Sequence, residues 1–253
     1  MRFLLISDIH GDALSLEKLL GRERAVSAII AAGDLTDFEE GDAMLRMVNL
    51  LREAALPVLA VPGNCDRRTA RAVLDSSGFS IDNRSRRVDF RAAAGPDSDT
   101  RNPAARGGSI NFFGMGGGGF RTGFTPYERR EDEFERIFAS CPESGPGCLP
   151  LVIVTHTPPR GTQADLRRGA HVGSPALAAA LARIQPLLWV CGHIHEARSA
   201  SMEGSSLLVN PGPLREGCYA IADICPPSAN TPESGAGFSV HAELRSLFET
   251  YSS

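Results

Sequence analysis

Residues 1–61 alternate short aliphatic runs with longer segments in which apolar side chains recur every three or four positions. The aliphatic runs predict buried strands, and the helical spacing predicts amphipathic helices. The predicted order is a strand at residues 2–7, a helix at 12–20, a strand at 26–32, a helix at 40–54 and a strand at 57–61. This alternation favours parallel strands, because each helix returns the chain to the same end of the sheet.

The rest of the chain has a more mixed pattern, in which predicted strands outnumber helices. We expect helices at residues 127–138 and 175–184, and strands at 86–90, 109–113, 149–154, 187–191, 205–209, 218–222 and 238–241. Segments rich in proline, glycine, serine or charge are predicted loop insertions at residues 92–108, 141–147 and 226–237. We therefore expect a single α/β domain that spans residues 1–253.

The composition is that of a folded protein without a basic binding surface. Of the 253 residues, 42% are hydrophobic, which is enough to build a core in a chain of this length. The formal net charge is -4. General nucleic-acid binding is therefore not expected, because proteins that bind polyanions carry an excess of basic residues.

Several features bear on the location of the protein. The apolar stretch near the N-terminus meets Asp8 at once and is too short for a signal-peptide core. The longest apolar run elsewhere, near residues 149–154, is far short of the roughly 20 residues that span a bilayer. The six cysteines form no C-x-x-C pair, as expected of reduced thiols. These features predict a cytoplasmic protein without a membrane segment.

Candidate metal ligands follow five of the predicted strands. They are Asp8 and His10 after the first strand, Asp34 after the second, Asn64 after the third, His156 after the strand at residues 149–154, and His193 and His195 after the strand at residues 187–191. Ligands of open α/β sheets bind beyond the carboxyl ends of the strands. A single Asp or His in such a loop is commonly a cap or a hydrated surface group. Seven in equivalent positions predict one shared site.

The donor types indicate which metals the site would hold. Carboxylate, amide and imidazole donors without a thiolate suit manganese, iron, zinc or nickel better than calcium or magnesium alone. Seven donors are too many for one tetrahedral ion and suit two ions about 3.5–4 Å apart, for which Asp34 is the expected bridge. Such a pair can hold two oxygens of a phosphate ester and acidify a bridging water, so that hydroxide attacks phosphorus in line.

The same residues form ordered sequence blocks: Asp8-Ile9-His10, Gly33-Asp34, Gly63-Asn64-Cys65-Asp66, the His156 loop and Gly192-His193-Ile194-His195. In order and spacing the blocks resemble those of the calcineurin-like metallophosphoesterase superfamily, from residue 8 to about residue 212. The resemblance implies a four-layer αββα sandwich with mixed sheets, and a dinuclear metal site at the strand ends.

The resemblance also implies how the donors divide between two ions. One ion would be bound by Asp8, His10, Asp34 and His195, and the other by Asp34, Asn64, His156 and His193. Asp34, Asn64 and His193 would be the catalytic residues, acting through the hydroxide and phosphate held by the metals. Two divalent ions are the implied cofactors, with manganese expected in vitro and iron, zinc or nickel as alternatives.

Further stretches resemble a subgroup of the superfamily. Residues 156–162, 171–174, 191–196 and 210–213 are similar to small prokaryotic phosphoesterases of the Icc-like type. This resemblance implies a metal-dependent phosphoric ester hydrolase, and specifically a phosphodiesterase that acts on a small or nucleotide-like phosphodiester.

Cys65 departs from the pattern of many members, which have a histidine at this position. An imidazolium there can steady the transition state or protonate the leaving oxygen, whereas a thiol is a poor cationic partner. The sequence Gly-Asn-Cys-Asp resembles that of a branch of the superfamily in which phosphodiesterases are common. This resemblance favours diesters, or esters with good leaving groups, over unactivated monoesters as substrates. The competing interpretation of Cys65 is a small, buried apolar filler.

Two other function classes compete with this hypothesis. One is a phosphomonoesterase, including a phosphoprotein phosphatase. The other is a non-catalytic metal-binding scaffold, because some proteins of this fold, such as a retromer subunit, carry a degraded metal site. Every predicted ligand is present in this chain, which favours catalysis. The expected partner is a small phosphoester, for which a nucleotide is one candidate, and the oligomeric state is left open.

Weaker signals surround these blocks. Arg67, Arg121 and Arg160 lie near the motif loops, and with Cys65 they are candidate substrate-binding residues. A hydrated surface arginine is the common alternative for each of the three. The run of glycines from residue 114 satisfies G-x-G-x-x-G, but no helix pattern follows it at once, so we expect a loop beside the metal site instead of a dinucleotide site.

Three further aspartates are expected to act indirectly. Asp12 and Asp37 are predicted helix caps and not ligands. Asp66 is predicted to orient a neighbouring ligand.

Overall fold

A computed structural model describes residues 1–90, 108–119, 123–145, 147–226 and 237–248. The helices are α1 (Ala13–Arg22), α2 (Gly41–Glu53), α3 (Arg68–Ser76), α4 (Glu131–Phe138) and α5 (Pro175–Ile184). The strands are β1 (Arg2–Ile6), β2 (Ala28–Ala32), β3 (Val58–Val61), β4 (Arg84–Phe90), β5 (Gly108–Met115), β6 (Gly118–Gly119), β7 (Glu128–Arg129), β8 (Leu151–Thr155), β9 (Leu166–Arg167), β10 (Ala170–His171), β11 (Leu188–Val190), β12 (Ser199–Glu203), β13 (Ser206–Asn210), β14 (Cys218–Cys225) and β15 (Ser239–Ser246).

Two mixed sheets contain most of these strands. The first has the order β15-β14-β1-β2-β3, in which β1, β2 and β3 are parallel and β14 and β15 are antiparallel additions. The second has the order β12-β13-β11-β8-β5-β4, with a parallel centre and antiparallel edges. The parallel arrangement of β1, β2 and β3 confirms the prediction from the β-α-β-α-β pattern.

The two sheets pack face to face between two layers of helices. Alternate residues of a strand point to opposite faces. Phe3 and Leu5 of β1 therefore join the core between the sheets, while Leu4 and Ile6 pack toward α1 and α2. In the same way, the outer face of the second sheet packs against α4 and α5. The result is the predicted αββα sandwich.

The capping of α1 and α5 explains why these helices begin where they do. Asp12 accepts a hydrogen bond from the Ser15 amide, as predicted for a helix cap. The Ser174 side chain accepts one from the Leu177 amide, and Pro175 occupies the first turn of α5.

Some elements differ from the expectations. The helix α3 was not predicted, because only Ala70 and Leu74 of it are buried, and two apolar positions make a weak helical pattern. The helix predicted at residues 127–138 begins only at Glu131, and β12 was also missed. The described residues of the 141–147 segment form neither helix nor strand. The predicted insertions at 92–108 and 226–237 lie almost entirely outside the described residues.

Two other expectations concern cysteines and membranes. None of the six cysteines, all of which lie within the described residues, is joined in a disulfide. No helix within the described ranges combines the length and the apolar character needed to cross a bilayer.

Candidate metal centre

The carboxyl ends of β1, β2 and β3 in one sheet and of β8 and β11 in the other meet at one edge of the sandwich. Close contact between the sheets depends on Gly192, since a Cβ on this residue would lie 1.7 Å from the Ser7 hydroxyl oxygen. The Gly192 amide also donates a 3.0 Å hydrogen bond to the carbonyl of His156. The seven predicted donors therefore converge on one place, although they come from five loops and two sheets.

Four of the donors form what we call the Asn64 cluster: Asp34, Asn64, His156 and His193. The Nε2 atom of His156 lies 2.9 Å from Oδ1 of Asn64 and 3.4 Å from Oδ2 of Asp34. The opposite ring nitrogen of His156 lies 2.9 Å from the carbonyl oxygen of Ala32, which orients the ring. The His193 ring packs edge-on against His156, with 4.9 Å between the ring centroids.

The other three donors form the His10 cluster: Asp8, His10 and His195. Nε2 of His195 lies 3.2 Å from Oδ1 of Asp8 and 3.4 Å from Nε2 of His10. Nε2 of His10 is also 3.8 Å from Oδ2 of Asp34. The Asp34 carboxylate thus lies between the two clusters, which is the position required of a bridging ligand.

Four of the donors have an unusual backbone conformation. Asp8, His10, Asp34 and His193 have positive φ angles of 52°, 47°, 49° and 70°. Side chains other than glycine rarely adopt this left-handed region, and each such residue costs on the order of 1 kcal/mol or more. The fold maintains these conformations through tertiary hydrogen bonds, such as those from the His10 amide to the Asp34 carbonyl and from the His193 amide to the Asp8 carboxylate.

The buried groups influence each other's protonation. Burial disfavours a charge on His156, but the Asp34 carboxylate outweighs this effect and raises the pKa of His156 to about 9. Burial and the neighbouring His156 lower the pKa of His193 to about 4. Burial also disfavours the charge on Asp34, yet His156 and His10 more than offset it and hold the pKa of Asp34 below its usual value.

This donor set fits divalent cations. Three groups of donors each place their ligand atoms within 4.8 Å of one another: Asp8, His10 and His195; His10, Asp34 and Cys65; and Asp8, Asp34 and His156. In the first group, Nε2 of His10 and Nε2 of His195 lie 3.4 Å apart, an arrangement that a cation bound to both nitrogens would stabilise. Asp8 and Asp34 are almost completely buried, and bound cations would add to the counter-charge that the neighbouring histidines supply.

Asp66 holds the loops that carry the Asn64 cluster. Its buried carboxylate accepts hydrogen bonds from the amides of Leu35 and Gly63 and from both the amide and the hydroxyl of Thr36. These bonds join the loop after β2 to the loop after β3. Burial and the nearby Asp34 raise the pKa of Asp66 to about 6. Asp66 thus has the position of a residue that orients the ligands.

Cys65 lies at the junction of the two clusters. Its side chain is buried, and its sulfur accepts a 3.4 Å hydrogen bond from the side-chain Nδ2 of Asn64. Its backbone amide donates to Oδ1 of Asp34 at 2.8 Å. Burial and the neighbouring Asp34 raise the pKa of this thiol. Cys65 is therefore both buried, as the filler interpretation requires, and close to the donors.

The arginines predicted to contact substrate have different positions. Arg67 is exposed, but its guanidinium donates to the Phe38 carbonyl and pairs with Glu40 at 3.2 Å. Arg160 is exposed. Arg121 lies outside the described residues.

Two side chains that contact the His10 cluster were not predicted from the sequence. Oδ1 of Asp37 lies 3.4 Å from Nδ1 of His10, so the prediction that Asp37 is a helix cap was wrong. The residue before α2 is Glu40. The guanidinium of Arg215 approaches Nδ1 of His195 at 3.4 Å. Its only sequence signal was its place two residues after the motif-like stretch at residues 210–213.

The calcineurin-like phosphoesterase family profile matches residues 1–197, a range that includes all seven donors. The chain belongs to this family. Calcineurin-like phosphoesterases depend on a dinuclear metal centre, and the donors described above are the candidate ligands. An uncharacterized protein of Methanocaldococcus jannaschii is 27% identical over 220 residues, which cover 84% of this chain and 88% of that protein.

Solved structures share the calcineurin-like phosphoesterase fold with this chain. A protein of Thermus thermophilus is 21% identical, with a TM-score of 0.63 over 88% of this chain and 93% of that chain. A dimetal phosphatase from Danio rerio is 14% identical, with a TM-score of 0.59 over 88% of this chain and 92% of that chain. At these identities the likeness confirms the fold class.

Proposed function

We propose that this protein is a phosphodiesterase that acts on a small or nucleotide-like phosphodiester with two divalent metal ions. The observation that carries the proposal is the convergence of seven donors on one edge of the sandwich, with Asp34 between the two clusters. Two bound ions would supply Lewis acidity to the phosphate and lower the pKa of a water molecule. Manganese is the expected metal in vitro, with iron, zinc or nickel as alternatives.

Side chains of the protein would hold the two ions and the phosphate in position. Asp34, Asn64, His156 and His193 would hold one ion, and Asp8, His10 and His195, together with Asp34, the other. Asp34, Asn64 and His193 are the proposed catalytic residues. The contacts of His156 with the Ala32 carbonyl and of Asp66 with the loop amides hold the donors before a ligand arrives, which avoids a reorganisation cost during the reaction.

Cys65 supports a preference for diesters. A thiol is a weak hydrogen-bond donor, so it cannot stabilise or protonate the leaving oxygen as an imidazolium would. Arg67 is already paired with Glu40. A phosphodiester carries one negative charge, whereas a monoester carries up to two. A phosphodiester therefore needs less positive charge from the protein than a monoester does.

Hydrolysis assays test the function directly. The manganese-loaded protein should release p-nitrophenolate from an aryl phosphodiester faster than from an aryl phosphomonoester. Faster cleavage of the monoester would favour a phosphomonoesterase or phosphoprotein phosphatase. Cleavage of neither ester by a protein that retains two ions would favour a non-catalytic metal-binding scaffold, and either result would contradict the proposal.

A substitution at Cys65 tests the origin of the preference. In Cys65→His the rate on the monoester should rise relative to the rate on the diester, because an imidazolium can protonate or stabilise the leaving oxygen. Unchanged rates on both esters would remove Cys65 from the argument. Two further assignments, a cytoplasmic location and a single domain over residues 1–253, stay predictions.

A further inference from the structure

A cleft of about 490 Å³ is formed by three chain segments that lead away from the Asn64 cluster. The first holds Phe38 and Glu40, the second runs from Arg67 to Thr69, and the third runs from Gly123 to Pro126. The cleft is largely open to solvent, and its volume is within the range of small-molecule sites.

Each wall of the cleft is connected to a metal donor. Phe38 follows Asp34 by four residues, and Arg67 follows Asn64 by three. The third segment leads into Tyr127, whose amide donates a 3.2 Å hydrogen bond to the Asn64 carbonyl. The walls of the cleft are therefore within a few residues, or one backbone hydrogen bond, of the loops that carry Asp34 and Asn64.

Two exposed phenyl rings line the cleft. Phe38 is 42% exposed and Phe124 is 85% exposed, although burial would stabilise such large apolar side chains. Phe38 also has a φ of +57°, a conformation that is costly for a bulky residue. A 2.6 Å hydrogen bond from Nε of Arg67 to the Phe38 carbonyl holds this turn. The fold thus presents Phe38 to the cleft at an energetic cost.

The loop that carries Phe124 is also held in place. The Glu128 carboxylate accepts hydrogen bonds from the Gly123 amide and from the amide and hydroxyl of Thr125. The centroid of the adjacent Tyr127 ring lies 3.8 Å from Cζ of Arg71 in α3, and the Tyr127 hydroxyl donates a 2.8 Å hydrogen bond to the Asp82 carboxylate. These contacts hold the chain on both sides of Phe124, which lines the cleft together with Phe38.

The polar groups of the cleft restrict what it can bind. Glu40 pairs with Arg67 and accepts a hydrogen bond from the Thr69 hydroxyl, while Arg68 begins α3. An acyl chain would cover these charged groups and gain no hydrogen bond in exchange. A flat heteroaromatic ring would meet the phenyl rings with its faces and the charged groups with its polar edge.

We propose that this cleft binds a nucleobase, or a similar flat heteroaromatic group, of the phosphodiester. This inference rests on the proposed function and adds the substrate class. Phe38 and Phe124 stack against the ring, and the ester phosphorus lies at the two donor clusters. The cleft is then the part of the site that determines specificity.

Calorimetric titration of the manganese-loaded protein tests the cleft without catalysis. Adenosine monophosphate and ribose 5-phosphate share the sugar phosphate and differ only by the base. We expect adenosine monophosphate to bind roughly tenfold more tightly, because a base stacked on an aromatic side chain gains about this much. Phe124→Ala should remove most of this difference and leave the affinity for ribose 5-phosphate unchanged. Phe124→Leu should retain part of it.

Met202→Ala is the matched control, because Met202 is a 59% exposed apolar residue on β12. It should leave both affinities unchanged. If the melting temperature shows that Phe124→Ala is unfolded, Phe38→Leu serves as the second variant. Equal affinities of the wild-type protein for the two ligands would overturn the inference. Tighter binding of decyl phosphate than of adenosine monophosphate would also overturn it, because it would indicate an acyl-chain site.

Hydrolysis of methyl p-nitrophenyl phosphate separates this inference from the proposed function. If the protein hydrolyses this diester but binds adenosine monophosphate and ribose 5-phosphate equally, the cleft assignment is contradicted and the phosphodiesterase function is supported. A base preference that Phe124→Ala removes, in a protein that hydrolyses no diester, would support the cleft and contradict the function.

Discussion

The two donor clusters are built from similar side chains but held in different ways. In the Asn64 cluster, His156 is completely buried and is oriented by a backbone carbonyl, and Asp34 is held by a backbone amide. In the His10 cluster, the side chain of His195 is 27% exposed and contacts the exposed Arg215. Nδ1 of His10 lies 3.4 Å from Oδ1 of Asp37, whose side chain is 47% exposed.

This difference predicts unequal metal sites. Backbone contacts in a buried setting hold a ligand at low entropic cost, whereas exposed charged side chains are mobile and screened by solvent. We expect the Asn64 cluster to bind its ion more tightly and the His10 cluster to exchange its ion more readily. The following substitutions test this comparison, from the largest expected effect to the smallest.

Asp34→Ala should have the largest effect, because it removes the carboxylate shared by both clusters. We expect hydrolysis of the aryl diester to fall by roughly 1000-fold or more and metal content to fall in both sites. Metal analysis of the purified variant and steady-state kinetics measure the two effects. Retention of two tightly bound ions would contradict the bridging assignment.

His156→Ala and His195→Ala compare the clusters directly. His156→Ala should lower activity by roughly 100-fold or more and reduce metal content to less than one ion per chain. His195→Ala should retain about one ion and lose activity less severely. Equal metal loss in both variants, measured after the same dialysis against a chelator, would show that the clusters do not differ in affinity.

Asp66→Asn changes a side chain that holds the loops of the Asn64 cluster but is not itself a predicted metal ligand. An amide side chain has a single acceptor oxygen and cannot satisfy all the donors that the Asp66 carboxylate satisfies, so buried groups lose partners. We expect the free energy of unfolding of the metal-free protein to fall by about 1–3 kcal/mol. Denaturant unfolding measures it, with Glu135→Gln on the exposed face of α4 as the control. No change relative to this control would argue against a positioning role for Asp66.

Arg215→Ala should have the smallest effect, because it removes an exposed contact of one ligand in the His10 cluster. We expect at most about a tenfold loss of metal affinity, confined to the more weakly bound ion. Titration of the metal-free variant with manganese measures both sites. A loss in the tightly bound site instead would reverse the assignment of the two affinities.

Much of the fold followed from local patterns. The strands β1, β2 and β3 and the helix α2 lie close to their predicted positions, because buried aliphatic runs and helical spacing are strong signals. The helix α3 has only two buried apolar residues, and β12 is half exposed, so neither had such a pattern. The family assignment and the αββα class are confirmed. The roles of the individual site residues stay predictions.

The site was predictable in its ligands but not in their surroundings. Each donor follows a recognisable strand in a short polar loop, which local sequence shows. Asp37 was misassigned because a polar residue before a helix has the same local signature whether it caps the helix or contacts His10. Phe38 and Phe124 had no signal at all, since the sequence alone does not show that an aromatic side chain is exposed.

The sequence by itself determined the alternation of strands and helices, the kinds of donor atoms, and the ends of the strands at which they lie. Only the tertiary structure decided that the donors meet, which of them are buried, and which neighbours orient them. The physical reason is distance along the chain. Asp8 and His195 are 187 residues apart, and their contact requires two sheets to pack so closely that Gly192 lies against Ser7.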